Sequence, residues 1–110
     1  MKIYIAGPLT DADPAKQAQN VARAVIAGVH VMQKGHSPYI PHLSKYINHA
    51  AETIGVHFKY EDWMRVCFEF LPSCEAILRL APSPGVDREL AEVRRLGLKI
   101  YWTVEDVPEA

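Results

Sequence analysis

Cysteine is scarce in this chain. Cys67 and Cys74 are the two among 110 residues, too few for a disulfide framework. No apolar run is long enough to span a bilayer, and the chain enters a strand-like segment directly, without a secretory leader. The expectation is a cytoplasmic protein with reduced thiols and no membrane partner. An excess of either charge is missing too. Twelve Lys and Arg face thirteen Asp and Glu, for a formal net charge of −1, so nothing in the charge balance favours a nucleic-acid polymer or an anionic membrane. There is no Gly-x-Gly-x-x-Gly after the first apolar run and no phosphate-loop lysine motif, which excludes the usual nucleotide fingerprints. His30, His36, His42, His49 and His57 stand at no short metal-ligand spacing, so neither a metal nor another cofactor is expected. No repeat or low-complexity tract interrupts what reads as one domain, residues 1–110.

What is present is ordinary in amount and informative in order. Apolar residues make up 49% and charged residues 23% of the chain, the proportions of a globular domain with a real core. Lys2–Ala6 is an apolar run closed by Gly7-Pro8, the pattern of a buried central strand. Asp13 and Pro14 announce a helix as N-cap and first helical residue. Ala18, Val21, Ala22, Val25, Val29 and Met32 recur along one face of it until Gly35 ends it. Ser37–Pro41, bounded by prolines, reads as a short strand near a sheet edge. His42–His57 has no clean period and reads as a long loop with a helical turn near Leu43–Ala51. Tyr60–Leu71 is helical, with Trp63, Val66, Cys67, Phe70 and Leu71 on one side and Pro72 as its stop. Ala76–Ala81 is a strand, about Pro84 to Leu96 a helix burying Val86, Leu90, Val93 and Leu96, and Leu98–Trp102 a last strand before an acidic tail. This alternation implies an α/β fold: a parallel sheet of about four to five strands, order 2-1-3-4, with helices on both faces. In such sheets ligands bind where the chain reverses direction, here between the loops Gly7–Asp13 and Pro82–Glu89.

The second of these loops carries the strongest chemical signal. In Pro82-Ser83-Pro84-Gly85-Val86-Asp87-Arg88-Glu89 a strand gives way to a helix N-terminus, whose free N–H groups and dipole suit an anion. Ser83 adds a hydroxyl, Gly85 lets a ligand approach the backbone, and the helix field is expected to keep Glu89 ionised. A plain helix cap needs the same residues, so this stretch alone does not separate capping from catalysis. Tyr4 lies close to the same crevice, where its phenol can reach a carboxylate. His42, just after a strand end, is either a ligand contact or a loop histidine satisfied by backbone groups. Cys67, on an apolar face, reads as a small hydrophobe, and Trp63 and Trp102 as core or interface residues.

Taken together, Ile3-Tyr4-Ile5-Ala6-Gly7-Pro8-Leu9, Gly35-His36-x-Pro38, Pro41-His42 and Ser83-x-Gly85-x-x-x-Glu89 resemble the nucleoside 2-deoxyribosyltransferase-like superfamily. Tyr60-x-Asp62-x-Met64-Arg65 and Leu71-x-x-Cys74 look like its small bacterial and phage members, and the Ser83 segment is similar to the 2'-deoxynucleoside 5'-phosphate N-hydrolases among them. The resemblance implies a flavodoxin-like fold, a homodimer or larger homo-oligomer, and cleavage of an N-glycosidic bond in a (2'-deoxy)nucleoside or its 5'-monophosphate. By that resemblance Glu89 is the nucleophile, Tyr4 holds it, and Ser83 and Gly85 bind the 5'-phosphate, with Gly7, Pro8 and His42 at the substrate. Two departures bear on activity. Cys67 stands where the family usually has an aspartate that handles the base, and the tail Val104–Ala110 lacks the asparagine that the transferases lend to a neighbouring subunit. The second points to hydrolysis over transfer. The first leaves a non-catalytic nucleotide-binding module as the alternative.

Overall fold

The computed structural model describes residues Met1–Ala110. β1 (Lys2–Ala6) is the inner strand that the apolar run predicts. β2 (Ser37–Tyr39) pairs with it on one side and β3 (Ala76–Arg79) on the other, while β4 (Lys99–Tyr101) adds to β3. All pairs are parallel, and the order is β2-β1-β3-β4. The fold is therefore the expected flavodoxin-like α/β arrangement. The proline-containing strand β2 sits at an edge, where the missing N–H of Pro38 costs no interior ladder bond.

Alternation along β1 and β3 divides the core between the two faces of the sheet. Ile3, Ile5, Ala76 and Leu78 pack with Ala24, Ala27 and Val31 of helix α1 (Pro14–Gln33). Tyr4, Ala6 and Ile77 pack with Leu71 and with Val86, Leu90 and Val93 of helix α4 (Pro84–Leu96). Asp13 caps α1 as expected, its side chain accepting from the Ala15 amide at 2.9 Å.

Two helical readings need correction. α1 buries Val21, Ala24, Ala27, Gly28 and Val31, whereas Ala18 and Ala22 are exposed and Val29 and Met32 are 50% and 65% exposed. The helix is apolar on two sides, and the smaller side chains win because close approach to the sheet needs them. At Gly28 a Cβ would lie 2.4 Å from Ile40 Cδ1. The second correction concerns His42–His57, which is not mainly loop. A 3₁₀ turn (Pro41–Leu43) leads into helix α2 (Ser44–Thr53). Its inner side is polar, so no apolar period marks it. Helix α3 (Tyr60–Phe70) begins where the sequence places it. It buries Met64 and, just beyond its end, Leu71, while Phe70 is half-exposed and stacks on Tyr39.

The C-terminal segment, including the 3₁₀ turn Val104–Asp106, folds back onto the end of α1. Lys34 Nζ donates to the carbonyls of Val104 and Val107, both at 2.7 Å. His36 is buried, accepting from the Met1 ammonium at Nδ1 (2.8 Å) and donating from Nε2 to the Pro108 carbonyl (2.6 Å). Removing the Lys34 head deletes two charge-assisted bonds of a kind worth roughly 1.5–3 kcal/mol each. Lys34→Met should therefore speed amide hydrogen exchange across residues 104–107 by at least tenfold, with β1 amides little changed. Unchanged exchange there would show that burial of Val107, rather than Lys34, holds the segment.

Candidate functional site

The two loops that follow β1 and β3 meet as predicted. They line one side of a cavity of about 900 Å³, with Gly7, Pro8, Leu9 and Thr10 from the first and Ser83, Pro84 and Gly85 from the second. Their convergence rests on the pairing of β1 with β3, which places Ala6 opposite Arg79 and closes with a Leu80 N–H to Ala6 O bond of 2.7 Å. A Cβ on Gly7 would lie 3.3 Å from Leu80, so the loops have little room for a larger residue there. His42, 3% exposed, donates from Nε2 to the carbonyls of Gly7 and Pro8 at 3.0 and 3.1 Å. It thus ties the 3₁₀ turn to the first loop. Burial pushes its pKa down, with the two carbonyls opposing, and its Nδ1 is buried without a partner. The expected backbone satisfaction is met on one nitrogen only.

The second loop behaves first as a cap. Ser83 is the N-cap of α4, its Oγ accepting from the Val86 amide at 3.2 Å. That bond uses an acceptor lone pair and leaves the hydroxyl hydrogen free to donate, so capping and anion binding are compatible at one residue. Tyr60 stands close over the helix start at Gly85: a Cβ there would be 3.0 Å from the Tyr60 hydroxyl, which would have to give way. Arg88 fastens this arrangement. Its guanidinium bonds Glu61 through both terminal nitrogens, at 2.7 and 3.2 Å, and lies 5.7 Å from the Tyr60 ring centre. The beginnings of α3 and α4 are therefore held side by side, with a phenol and a serine hydroxyl at one helix N-terminus.

Glu89 lies deeper. It is the sixth residue of α4, past the first turn, and only 7% exposed. The expectation that the helix field keeps it ionised is corrected: burial dominates and raises its pKa to about 7, with the nearby Tyr4 hydroxyl and the charge of Arg88 pulling the other way. Tyr4 is fully buried in the middle of β1. Burial drives its pKa far above the ordinary tyrosine value, and the neighbouring Glu89 carboxylate pushes it further. The phenol therefore keeps its proton and remains a donor. Its oxygen is within influence of both groups but makes no bond of standard geometry to either, so donor capacity is left free at the carboxyl.

Cys67 packs against the core cluster around Tyr4 and Ile77, as expected from its helix face. It is also part-exposed, lines the cavity, and shares the electrostatic neighbourhood of Tyr4 and Glu89. Burial raises its thiol pKa, so the thiol stays neutral. Trp63 is likewise a cavity residue, meeting Phe58 edge to face with ring centres 5.4 Å apart and planes at 73°. The pattern Phe58-x-Tyr60-x-x-Trp63 at a helix start was the available signal for this aromatic wall. Polar residues on α2, among them Lys45, Asn48 and Glu52, complete the lining. No three His, Cys, Asp or Glu side chains come together as a metal site.

Fold and cavity together define a class: an open parallel α/β domain whose crevice lies at the β1–β3 switch point and holds one buried carboxyl. Residues 1–102 match the family described as Domain of unknown function (DUF4406), and the chain belongs to that family. No curated protein matches it. No helix is long and apolar enough to cross a membrane.

A carboxyl raised from 4.5 to about 7 weakens the fold whenever it is ionised, by roughly 3 kcal/mol above neutrality. The sign follows from proton uptake. Between those two pH values the folded state binds more protons than the unfolded state, so stability falls as pH rises. Glu89→Gln should match the wild type in thermal stability near pH 4 and exceed it at pH 8. A variant less stable than wild type at pH 8 would contradict the burial argument.

Proposed function

We propose that this protein is an N-glycosidase that hydrolyses the N-glycosidic bond of a (2'-deoxy)nucleoside 5'-monophosphate, with Glu89 as nucleophile. The observation that carries the reading is the placement of Glu89 and Ser83 on one helix lining one cavity. Five residues after the helix begins, Glu89 sits about 7–8 Å along the axis from the anion-binding end, a separation comparable to the length of a pentose 5-phosphate. Phosphate is held by the Ser83 hydroxyl, the Tyr60 hydroxyl and the first amides of α4. The base lies against Phe58 and Trp63, whose faces favour flat aromatic groups.

In this reading ionised Glu89 attacks the anomeric carbon, the carbon–nitrogen bond breaks, and the base leaves with the bonding electron pair and takes its proton from cavity water. Water then hydrolyses the glycosyl ester and restores the carboxylate. Tyr4, which keeps its proton, donates to one carboxylate oxygen and leaves the other for attack. His42 shapes the sugar side by fixing the carbonyls of Gly7 and Pro8. The reading resembles the nucleoside 2-deoxyribosyltransferase-like superfamily in each of these roles. A homodimer belongs to it as well. α2 and the residues that flank it expose Leu43, Ile47 and Ile54, at 43%, 60% and 77%, and covering them with a second copy steadies the cavity wall that α2 forms.

One observation favours a non-catalytic nucleotide-binding module instead. The neutral Cys67 thiol occupies the place beside Tyr4 and Glu89 where the resembling family has an aspartate, leaving the departing base without a carboxyl acid. Incubation with a panel of nucleoside and deoxynucleoside 5'-monophosphates, followed by chromatography for free base, separates the readings. The enzyme reading predicts base release that rises with pH through about 7, as Glu89 ionises, and vanishes in Glu89→Gln. Ser83→Ala should weaken the monophosphate by about tenfold and the unphosphorylated nucleoside hardly at all. Saturable binding without release of any base would select the binding module.

A further inference from the structure

A second cleft, of about 340 Å³, opens on the α1 side of the sheet, beyond the C-terminal ends of β3 and β4. Arg79 ends β3, and its Nε is buried with no hydrogen-bond partner. Its guanidinium stands 5.4 Å from the ring centre of Trp102, which is 48% exposed. Arg23 reaches in from α1, where Nη2 donates to the Leu80 carbonyl at 2.8 Å. That bond fixes the head of Arg23 while leaving its other donors free. The ion pairs of the molecule are Glu52–His57, Glu61–Arg88 and Glu92–Arg95, so neither arginine of the cleft has a carboxylate partner. Thr103 and His30 complete the polar lining, and Glu105 is its one acid.

We infer that this cleft binds a phosphomonoester, at a site separate from the Glu89 cavity. A buried guanidinium nitrogen without an acceptor is costly, so a turn of the Arg79 head toward a ligand oxygen in the cleft would relieve that cost. Guanidinium forks match phosphate oxygens in pairs. Two such cations against one acid favour a dianion over a single carboxylate. The Thr103 hydroxyl accepts from the Asp106 amide at 3.3 Å and keeps its hydrogen for a third oxygen. The volume lies at the small end of the roughly 300–1,000 Å³ typical of ligand clefts, so it suits a phosphate with a short organic part lying on Trp102. Sequence reading leaves Trp102 a core or interface residue and gives no role to either arginine, because their convergence depends on the return of the C-terminal segment to α1.

In a Trp63→Phe background Trp102 is the only indole, so its fluorescence reports on this cleft. Titration should give a saturable change with ribose 5-phosphate and with adenosine 5'-monophosphate at millimolar concentration or below, and none with adenosine. Inorganic phosphate distinguishes the source: a weaker response than to ribose 5-phosphate upholds the ester, and an equal or stronger one overturns it in favour of free phosphate. Arg79→Ala and Arg23→Ala should each weaken binding about tenfold. Because these variants could lose structure, the wild-type amide spectrum supplies a second measurement, with ribose 5-phosphate shifting the Trp102 indole and Thr103 amide resonances. No saturable change with any phosphate, an equal response to adenosine, or a response that survives loss of both arginines would overturn the inference. So would a Trp102 signal that follows protein concentration in place of ligand, since that would assign the cleft to a subunit contact.

Discussion

The arrangement depends on one buried carboxyl. Glu89 sits in a helix whose neighbouring inward residues, Val86, Leu90 and Val93, are apolar, and water that would solvate its charge is largely excluded. What stands against this desolvation is a tyrosine hydroxyl from the central strand and the more distant charge of Arg88. Stability alone would favour an apolar residue at this position. A buried titratable group lining a cavity, with its pKa moved toward neutrality, marks this position as a candidate functional site, and the proposed chemistry is placed there for that reason.

Strand pairing makes that condition possible. Tyr4 lies opposite Tyr39 on one side and Ile77 on the other, so it is fixed in the most constrained part of the sheet and cannot turn to solvent. The same pairing of β1 with β3 brings the Gly7–Pro8 and Ser83–Gly85 loops together. Cap, glycine and strand thus each serve the fold and the cavity at once. On the opposite face the return of the C-terminal segment to Lys34 and His36 brings Trp102, Thr103 and the two arginines to a second opening. The loop after β3 lines the first opening and Arg79 at the end of β3 the second, so the two use different side chains.

Much of this is legible in the sequence, for identifiable reasons. Asp13-Pro14 and Ser83-Pro84 mark helix starts by local hydrogen-bond chemistry that tertiary context rarely overrides. The order of short apolar runs and amphipathic segments is enough for the sheet order, and hence for where Tyr4, Ser83 and Glu89 meet. What is not legible depends on distance between elements. α1 carries two apolar stripes, and only the close approach of Gly28 to Ile40 decides that the small-residue stripe faces inward. α2 has a polar inner side because it walls a cavity, so its period carries no core signal. Glu89 reads as ionised from its place near a helix start, and its raised pKa appears only once the depth of burial is known. Trp63 and Cys67 look like core residues for a similar reason: a cavity wall and a core interior select the same side chains.

The central claim is that Glu89 becomes covalently linked to the sugar. It is tested most directly by acid quench of the protein during turnover of a 2'-deoxynucleoside 5'-monophosphate, followed by mass spectrometry of its peptides. The account predicts a transient adduct of one deoxyribosyl phosphate on the peptide containing Glu89 and on no other. Base release with an adduct elsewhere, or with the Glu89 peptide unmodified at every quench time, would contradict it.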